Sequence, residues 1–581
     1  MNTSFPIIIS LPPVLEEALE LRVSAWEENQ TVGRIWRGDA TLWSNSDEDK
    51  WLGWLNVLEP KFTALDKLRE LQREVATSSF DHALVLGMGG SSLSPKVFRA
   101  TFGRIDDAPN LHVLDSTVPA QIQSLESQLD LSRTLFIVSS KSGTTLESEM
   151  FRRYFFKRAE ESLGVAGAAN HFIAITDPGS KLDQVARLLG FRKIIHGVPS
   201  IGGRYSALSS FGMVPAAIMG LDVERLLRRA EAMRVQCASS VPVRDNPGAM
   251  LGLALGVAAE FGRDKVTIVT SPRIRDLGGW LEQLLSESTG KRGKGLIAVE
   301  GESLGGSDVY GFDRVFVYVR DECNPDMTQD EAVAKFEAGG QPVISMNLKD
   351  IYDIGGEFFR WEFATIVAAA VLGVNPFDQP DVEASKLATK RLTKAYERTG
   401  ELPSERPVAR DEDIDLFLDD ANATAWTDAG KAPELATIVT AYLSTLAAGD
   451  YLAILAYVEM NAVCHEVLQR IRHSIRDACR TATCLGYGPR FLHSTGQAYK
   501  GGPSTGVFLQ ITSEDVADLP VPGLSCSFGA VKAAQARGDF EILAKRGRRV
   551  LRLHIRGEVA SGLKRIAEVI RKSIQAQKQA P

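Results

Sequence analysis

Between residues 13 and 75, leucine, valine and tryptophan recur at helical spacing, as in VLEEALELRVSAWEENQ and KWLGWLNVLEPKFTALDKLRELQREV. This predicts a helical N-terminal segment over 1–75. The pattern then changes to short apolar runs, HALVLGM, NLHVLDS, TLFIVSS, HFIAITD and KIIHGV, spaced so that a crossover helix fits between each pair. A parallel α/β domain is expected over 76–225. A second series, KVTIVTS, GLIAVEG, RVFVYVR and PVISMNL, with helices around Leu277–Glu287 and Phe358–Leu372, predicts another α/β domain over 226–390. Residues 391–433 turn acidic and polar and read as a linker. The remainder, 434–581, carries a helical YLAILAYVEMNAVCHEVLQRIRHSIRDA, strand-like GVFLQITS and VLRLHIRG, and a terminal helix GLKRIAEVIRKSIQAQ. The expected class is α/β: two parallel-sheet domains with helices on both faces, plus a C-terminal α/β region.

At 581 residues the chain exceeds what one hydrophobic core supports. Apolar residues are 44% and charged residues 24%, the balance of a folded globular protein. The formal charge of -7, with basic residues concentrated only at Lys545, Arg546, Arg548 and Arg549, argues against nucleic acid. The opening MNTSFPIIISLPP lacks the features of a signal peptide, and the apolar run around Ala364–Val374 is too short for a bilayer. A cytoplasmic protein without a membrane span is expected. Six scattered cysteines suit reduced thiols, and Cys464, His465, His473, Cys479 and Cys484 form neither a CxxC pair nor a zinc spacing.

The strongest chemical signal is TLFIVSSKSGTTLESEM, where an apolar strand runs through Ser140, Lys141, Ser142, Gly143, Thr144 and Thr145 into a helix. A helix N-terminus offers free amides and the positive end of the backbone dipole, and hydroxyls add donors for phosphate oxygens. Simple capping is the competing use of such residues, but a cap needs one hydroxyl. A second turn, LVLGMGGSSLSP, places Gly90 and Ser91 after a strand. Ser92 stands where GxGxxG needs its last glycine, so no dinucleotide fingerprint is present, and a sugar contact or a ligand-free tight turn remain open. SESTGKRGKG is not a P-loop, since Arg292 follows Lys291 where Ser or Thr should hold magnesium. It does put Gln283 and Glu287 four residues apart on one helical face, either in a cleft or in solvent.

Read together, GMGGSSLSP, SKSGTT, GGRYSALSSFG, ESTGK and NPFDQPDVEASK occur in the order seen in glucose-6-phosphate isomerases, which the chain resembles over roughly residues 80–390. The resemblance implies two sugar-isomerase-type (SIS) domains with the active site between them, a homodimer, and no cofactor or metal. By the same resemblance Ser140–Thr145 bind phosphate, and Gly90 and Ser91 form a substrate-contacting turn. Glu287 moves the proton between C1 and C2, Arg204 stabilises the enediolate, Gln283 and Gln379 position the substrate, and Lys386 assists ring opening. The implied reaction is glucose 6-phosphate to fructose 6-phosphate, in glycolysis and gluconeogenesis.

One member of the pattern is displaced. The family's ring-opening histidine lies between the glutamate and lysine motifs, yet residues 288–385 contain no histidine. HSTGQ in FLHSTGQAYKGGP resembles that segment, moved past Lys386, which assigns the role to His493. The run GYGPRFLHSTGQ is similar to the isomerase part of fused bacterial transaldolase and glucose-6-phosphate isomerase proteins, implying a functional link to transaldolase. Two alternatives stand beside this reading: a non-catalytic sugar-phosphate-binding regulator, and an isomerase that also accepts mannose 6-phosphate.

Overall fold

The computed structural model describes residues 5–59, 64–426 and 434–579. A short strand β1 (Ile7–Ser10) precedes helices Pro13–Glu28 and Leu65–Ala76. The first sheet holds β2 (His82–Leu86), β3 (Asn110–Leu114), β4 (Thr134–Ser139), β5 (Phe172–Thr176) and β6 (Lys193–His196), all parallel in the order β3-β2-β4-β5-β6. Each strand matches an apolar run of the sequence. Strand β4 is buried along its whole length, as expected of a central strand covered on both faces.

β7 (Lys265–Thr270), β8 (Ile297–Val299), β9 (Arg314–Asp321) and β10 (Val343–Leu348) repeat this order: the second strand flanks the first on one side, and the third and fourth follow on the other. β1 closes that sheet antiparallel to β10, Ile7 opposite Met346. The first residues of the N-terminal segment are therefore strand rather than helix, because they complete an edge that only the distant second domain provides.

The long helix Ile354–Leu372 runs through the packing of the two domains and is buried on nearly every side. Phe358, Phe359, Trp361 and Phe363 are fully buried on it, each contributing about 1.5–3 kcal/mol by leaving water. Glu362 sits among them with both carboxyl oxygens unpartnered, and burial pushes its pKa well above the usual carboxylate range.

The third sheet comprises β11 (Ala409–Asp411), β12 (Ile414–Phe417), β13 (Tyr451–Tyr457), β14 (Ala482–Tyr487), β15 (Gly506–Ser513) and β16 (Arg549–Ile555), in the order β11-β12-β16-β15-β13-β14. YLAILAY is thus a strand, not the start of a helix; the helix begins only at Ala462. All its residues are buried, and an apolar run covered on both faces loses the alternation that distinguishes strand from helix. The stretch 391–433, expected as linker, contains the end of helix Pro380–Thr399, the edge strand β11, its neighbour β12 and helix Asp420–Trp426; residues 427–433 lie outside the described residues. Two of its acidic residues tie it to the third sheet and the terminal helix: Glu405 pairs with Arg552 at 2.8 Å and Asp411 with Arg565 at 2.6 Å. Among the described residues no helix is long and apolar enough to cross a membrane.

Candidate active site

β4 ends at Ser139, and Ser140–Thr145 lead into helix Leu146–Asn170. Thr145 takes the N-cap position but its side chain caps no amide. The hydroxyls bond within the loop instead: Ser140 Oγ accepts from the Gly143 amide at 3.2 Å, and Ser142 and Thr144 stand 2.8 Å apart. The helix start is left open to an anion. Gly143 has φ +66°, and a Cβ there would lie 2.3 Å from the Leu182 nitrogen, so only glycine closes this turn. Lys141 is committed elsewhere, paired with Asp177 and donating to the Pro199 carbonyl at 3.0 Å.

The turn Gly89–Ser91 follows β2 and packs on Gly203–Tyr205. A Cβ on Gly90 would overlap the Gly203 carbonyl oxygen at 1.9 Å; glycine is what lets the turn reach Arg204. Arg204 is 5% exposed and held along one edge, donating from Nη2 to the carbonyls of Pro376 at 2.8 Å and Asp378 at 3.0 Å, and from Nε to Ser288 Oγ at 2.9 Å. Its Nη1 faces Gln379 Oε1 at 3.0 Å and Glu287 Oε1 at 3.3 Å.

Glu287 lies near the end of helix Leu277–Thr289, one turn past Gln283, and the two meet as their spacing requires: Gln283 Nε2 donates to Glu287 Oε2 at 3.0 Å. The same amide donates to the His493 carbonyl at 2.8 Å, while Gln283 Oε1 is a buried acceptor without a partner. Lys291 does not point at a ligand. It braces the ESTGK turn against the NPFD segment, bonding the Ser288 and Asn375 carbonyls and Asp378, and burial with Arg204 close by pushes its pKa down to about 7.

His493 sits in a short turn after β14, and its Nε2 lies 2.9 Å from Glu147 Oε1. Glu147 is in the first turn of the helix that begins at the hydroxyl loop. Gln535, from helix Phe528–Lys545 of the C-terminal region, donates to the same Oε1 at 2.6 Å and accepts from Thr117 at 3.0 Å. Burial works to raise the Glu147 pKa, but His493 and the Gln535 amide prevail and hold it below the ordinary range. Glu147 and Gln535 escaped the reading of the sequence. Glu147 had a signal, an acid in the turn directly after the loop; Gln535 had none.

Ser142–Thr145, Glu147, His493, Gln535 and Lys386 line one cavity of about 550 Å³. Lys386 is half exposed and pairs with Glu383 at 2.7 Å, two turns along the helix that Gln379 caps. Ser140 and Lys141 do not line the cavity. The structure therefore brings together three clusters: the hydroxyl loop, the Arg204–Glu287–Gln283–Gln379 group, and His493 with Glu147. Gln283 joins the last two.

A doubled parallel sheet with an uncapped hydroxyl loop at a strand end and a buried arginine–carboxylate pair between domains defines a phosphosugar-isomerase-type α/β protein. The phosphoglucose isomerase family model matches residues 59–303. The chain is 30% identical to a glucose-6-phosphate isomerase of Geobacter sp. (strain M21), over 56% of this chain and 68% of the relative, and 27% identical to that of Thermosynechococcus vestitus, over 69% and 85%. It belongs to the glucose-6-phosphate isomerase family. In fold it is similar to a Thermus thermophilus protein described as hypothetical (TM-score 0.58, 24% identity, 66% of this chain and 99% of that one). It is also similar to the Chlamydia trachomatis glucose-6-phosphate isomerase (TM-score 0.50, 22% identity, 59% and 75%).

Proposed function

We propose that the chain interconverts glucose 6-phosphate and fructose 6-phosphate, with every named catalytic side chain drawn from a single chain. The observation that carries this reading is the setting of Glu287: its two oxygens are met separately by Gln283 at 3.0 Å and Arg204 at 3.3 Å. A carboxylate so held can take a proton from one carbon and return it to the next, while the guanidinium faces the oxygen on which negative charge develops.

The phosphate binds at the open helix start of Ser142–Thr145. His493, steadied by Glu147, passes a proton between the ring oxygen and the C1 hydroxyl as the ring opens, with Lys386 on the same cavity wall. Glu287 then moves a proton between C2 and C1 through a cis-enediolate beside Arg204. The unpartnered Gln283 Oε1 accepts a substrate hydroxyl. No cofactor enters these steps. The protein acts in the cytoplasm, and the homodimer and transaldolase link implied by the resemblance would be partners of a chain whose own C-terminal region already brings His493 to Glu147.

The test is Glu287→Gln. Turnover is expected to fall by about a hundred- to ten-thousand-fold, with deuterium uptake from solvent at C2 lost in parallel and affinity for sorbitol 6-phosphate, an open-chain analogue that cannot isomerise, nearly unchanged. Isomerase activity near that of the parent would sink the assignment.

A further inference from the structure

A second, separate crevice opens on the opposite part of helix Leu277–Thr289, at its N-terminus. It consists of two adjoining cavities of about 900 and 530 Å³ that share Lys96, Arg275, Asp276, Tyr487 and Arg490 in their walls and no residue with the catalytic cavity. The carboxyl ends of β7 and β8 in the second sheet, β3 in the first, and β13 and β14 in the third all reach it, through Thr270, Glu300, Asp115, Val458 and Tyr487. In open parallel sheets this is the side on which ligands bind.

Its chemistry is mixed in a specific way. Arg490, half-buried at the junction of the two cavities, makes no hydrogen bond or ion pair among the described residues; Asp115, Glu282, Glu300 and Asp276 act on it only through space. The helix start beside it is uncapped by any side chain and runs Leu277-Gly278-Gly279; the Gly278 amide donates to the Arg275 carbonyl at 3.0 Å, and among the described residues the Gly279 amide has no such partner. A Cβ on Gly279 would meet nothing within 4 Å, which puts that position against open space. Lys96, paired with Asp115 at 2.6 Å, adds a cation at the other side. Glu300, His465 and Gln469 line the larger cavity with groups that bond hydroxyls, His465 already engaged with Tyr487 at 3.1 Å.

We propose that this crevice is a second ligand site, for a phosphomonoester that also carries hydroxyl groups. The phosphate lies between Arg490 and the Gly279 amide, where a free guanidinium and a helix N-terminus converge. The hydroxyls face Glu300 and Gln469. A bare polyanion fits less well, since Glu300 and Asp276 would repel whatever charge the phosphate does not concentrate at Arg490.

Titration of the full chain with sorbitol 6-phosphate, followed by calorimetry, tests it. Two equivalents per chain are expected for the parent. Gly279→Glu, whose Cβ would meet no atom within 4 Å and which adds a carboxylate to the crevice, is expected to bind one equivalent while its isomerase turnover at saturating substrate stays within twofold of the parent. Arg490→Met is expected to weaken the second site at least tenfold. A single equivalent in the parent, or two unaltered equivalents in both variants, overturns the proposal, as does equal binding of unphosphorylated sorbitol in the crevice. Because the readout is stoichiometry and not turnover, it fails or stands separately from the assignment of Glu287.

Discussion

His493 and Glu147 lie 346 positions apart in sequence and 2.9 Å apart in space. The contact joins the C-terminal region to the first α/β domain at the mouth of the hydroxyl loop, and Gln535 of the same C-terminal region bonds the same carboxylate oxygen. The displaced histidine motif therefore arrives with its own support.

Ring opening should separate from proton transfer in variants of this group. His493→Ala and Gln535→Leu are expected to lower turnover of the cyclic hexose phosphates, the second by about ten- to a hundredfold if it forfeits one hydrogen bond to a charged group. Proton exchange on a tetrose 4-phosphate, which cannot close a ring, should change little in either. Equal losses with both substrates would remove His493 and Gln535 from the ring-opening step.

The hydroxyl loop should govern affinity. Ser142→Ala and Thr144→Val each remove one donor to a dianion, so KM is expected to rise by about tenfold or more with kcat largely retained. Initial rates over a range of fructose 6-phosphate check this. A change in kcat alone would move these residues away from the phosphate.

Arg204→Lys keeps the charge but loses the planar fork that reaches Ser288, Pro376, Asp378 and Gln379 together. The expected result is a fall in kcat of about a hundredfold or more with a modest change in KM, since the guanidinium is assigned to charge that appears only in the transition state. Steady-state kinetics at one pH suffices.

Glu362 should make stability depend on pH. Its folded pKa is raised by burial, so the folded state keeps a proton that the unfolded chain releases above its ordinary value of about 4.3. The stabilisation is complete below that value and declines as pH rises toward the folded pKa, by up to about 1.4 kcal/mol per pH unit. Glu362→Gln removes this contribution. Urea unfolding at pH 5 and pH 8 should show the variant gaining on the parent as pH rises; parallel behaviour would mean that Glu362 titrates normally.

Much of the site was legible in the sequence because its pieces are local. A strand running into four hydroxyls and a glycine offers a helix start to an anion wherever it folds, and a four-residue helical spacing by itself puts Gln283 beside Glu287. The apolar runs marked nine strands of the first two sheets for the same reason, since each is a short apolar segment, most of them buried along nearly their whole length and the edge strand β6 excepted. What sequence alone left open depends on neighbours far along the chain. YLAILAY had no periodicity to show that a sheet would enclose it, Ile7–Ser10 became strand only because β10 offered an edge, and Gln535 gained a role only when the third domain set it against Glu147. Local sequence determined which groups could bind phosphate or move a proton. The packing of three sheets decided which of them meet, because burial and hydrogen-bond partners at 2.9 Å are properties of the assembled fold and not of any segment of it.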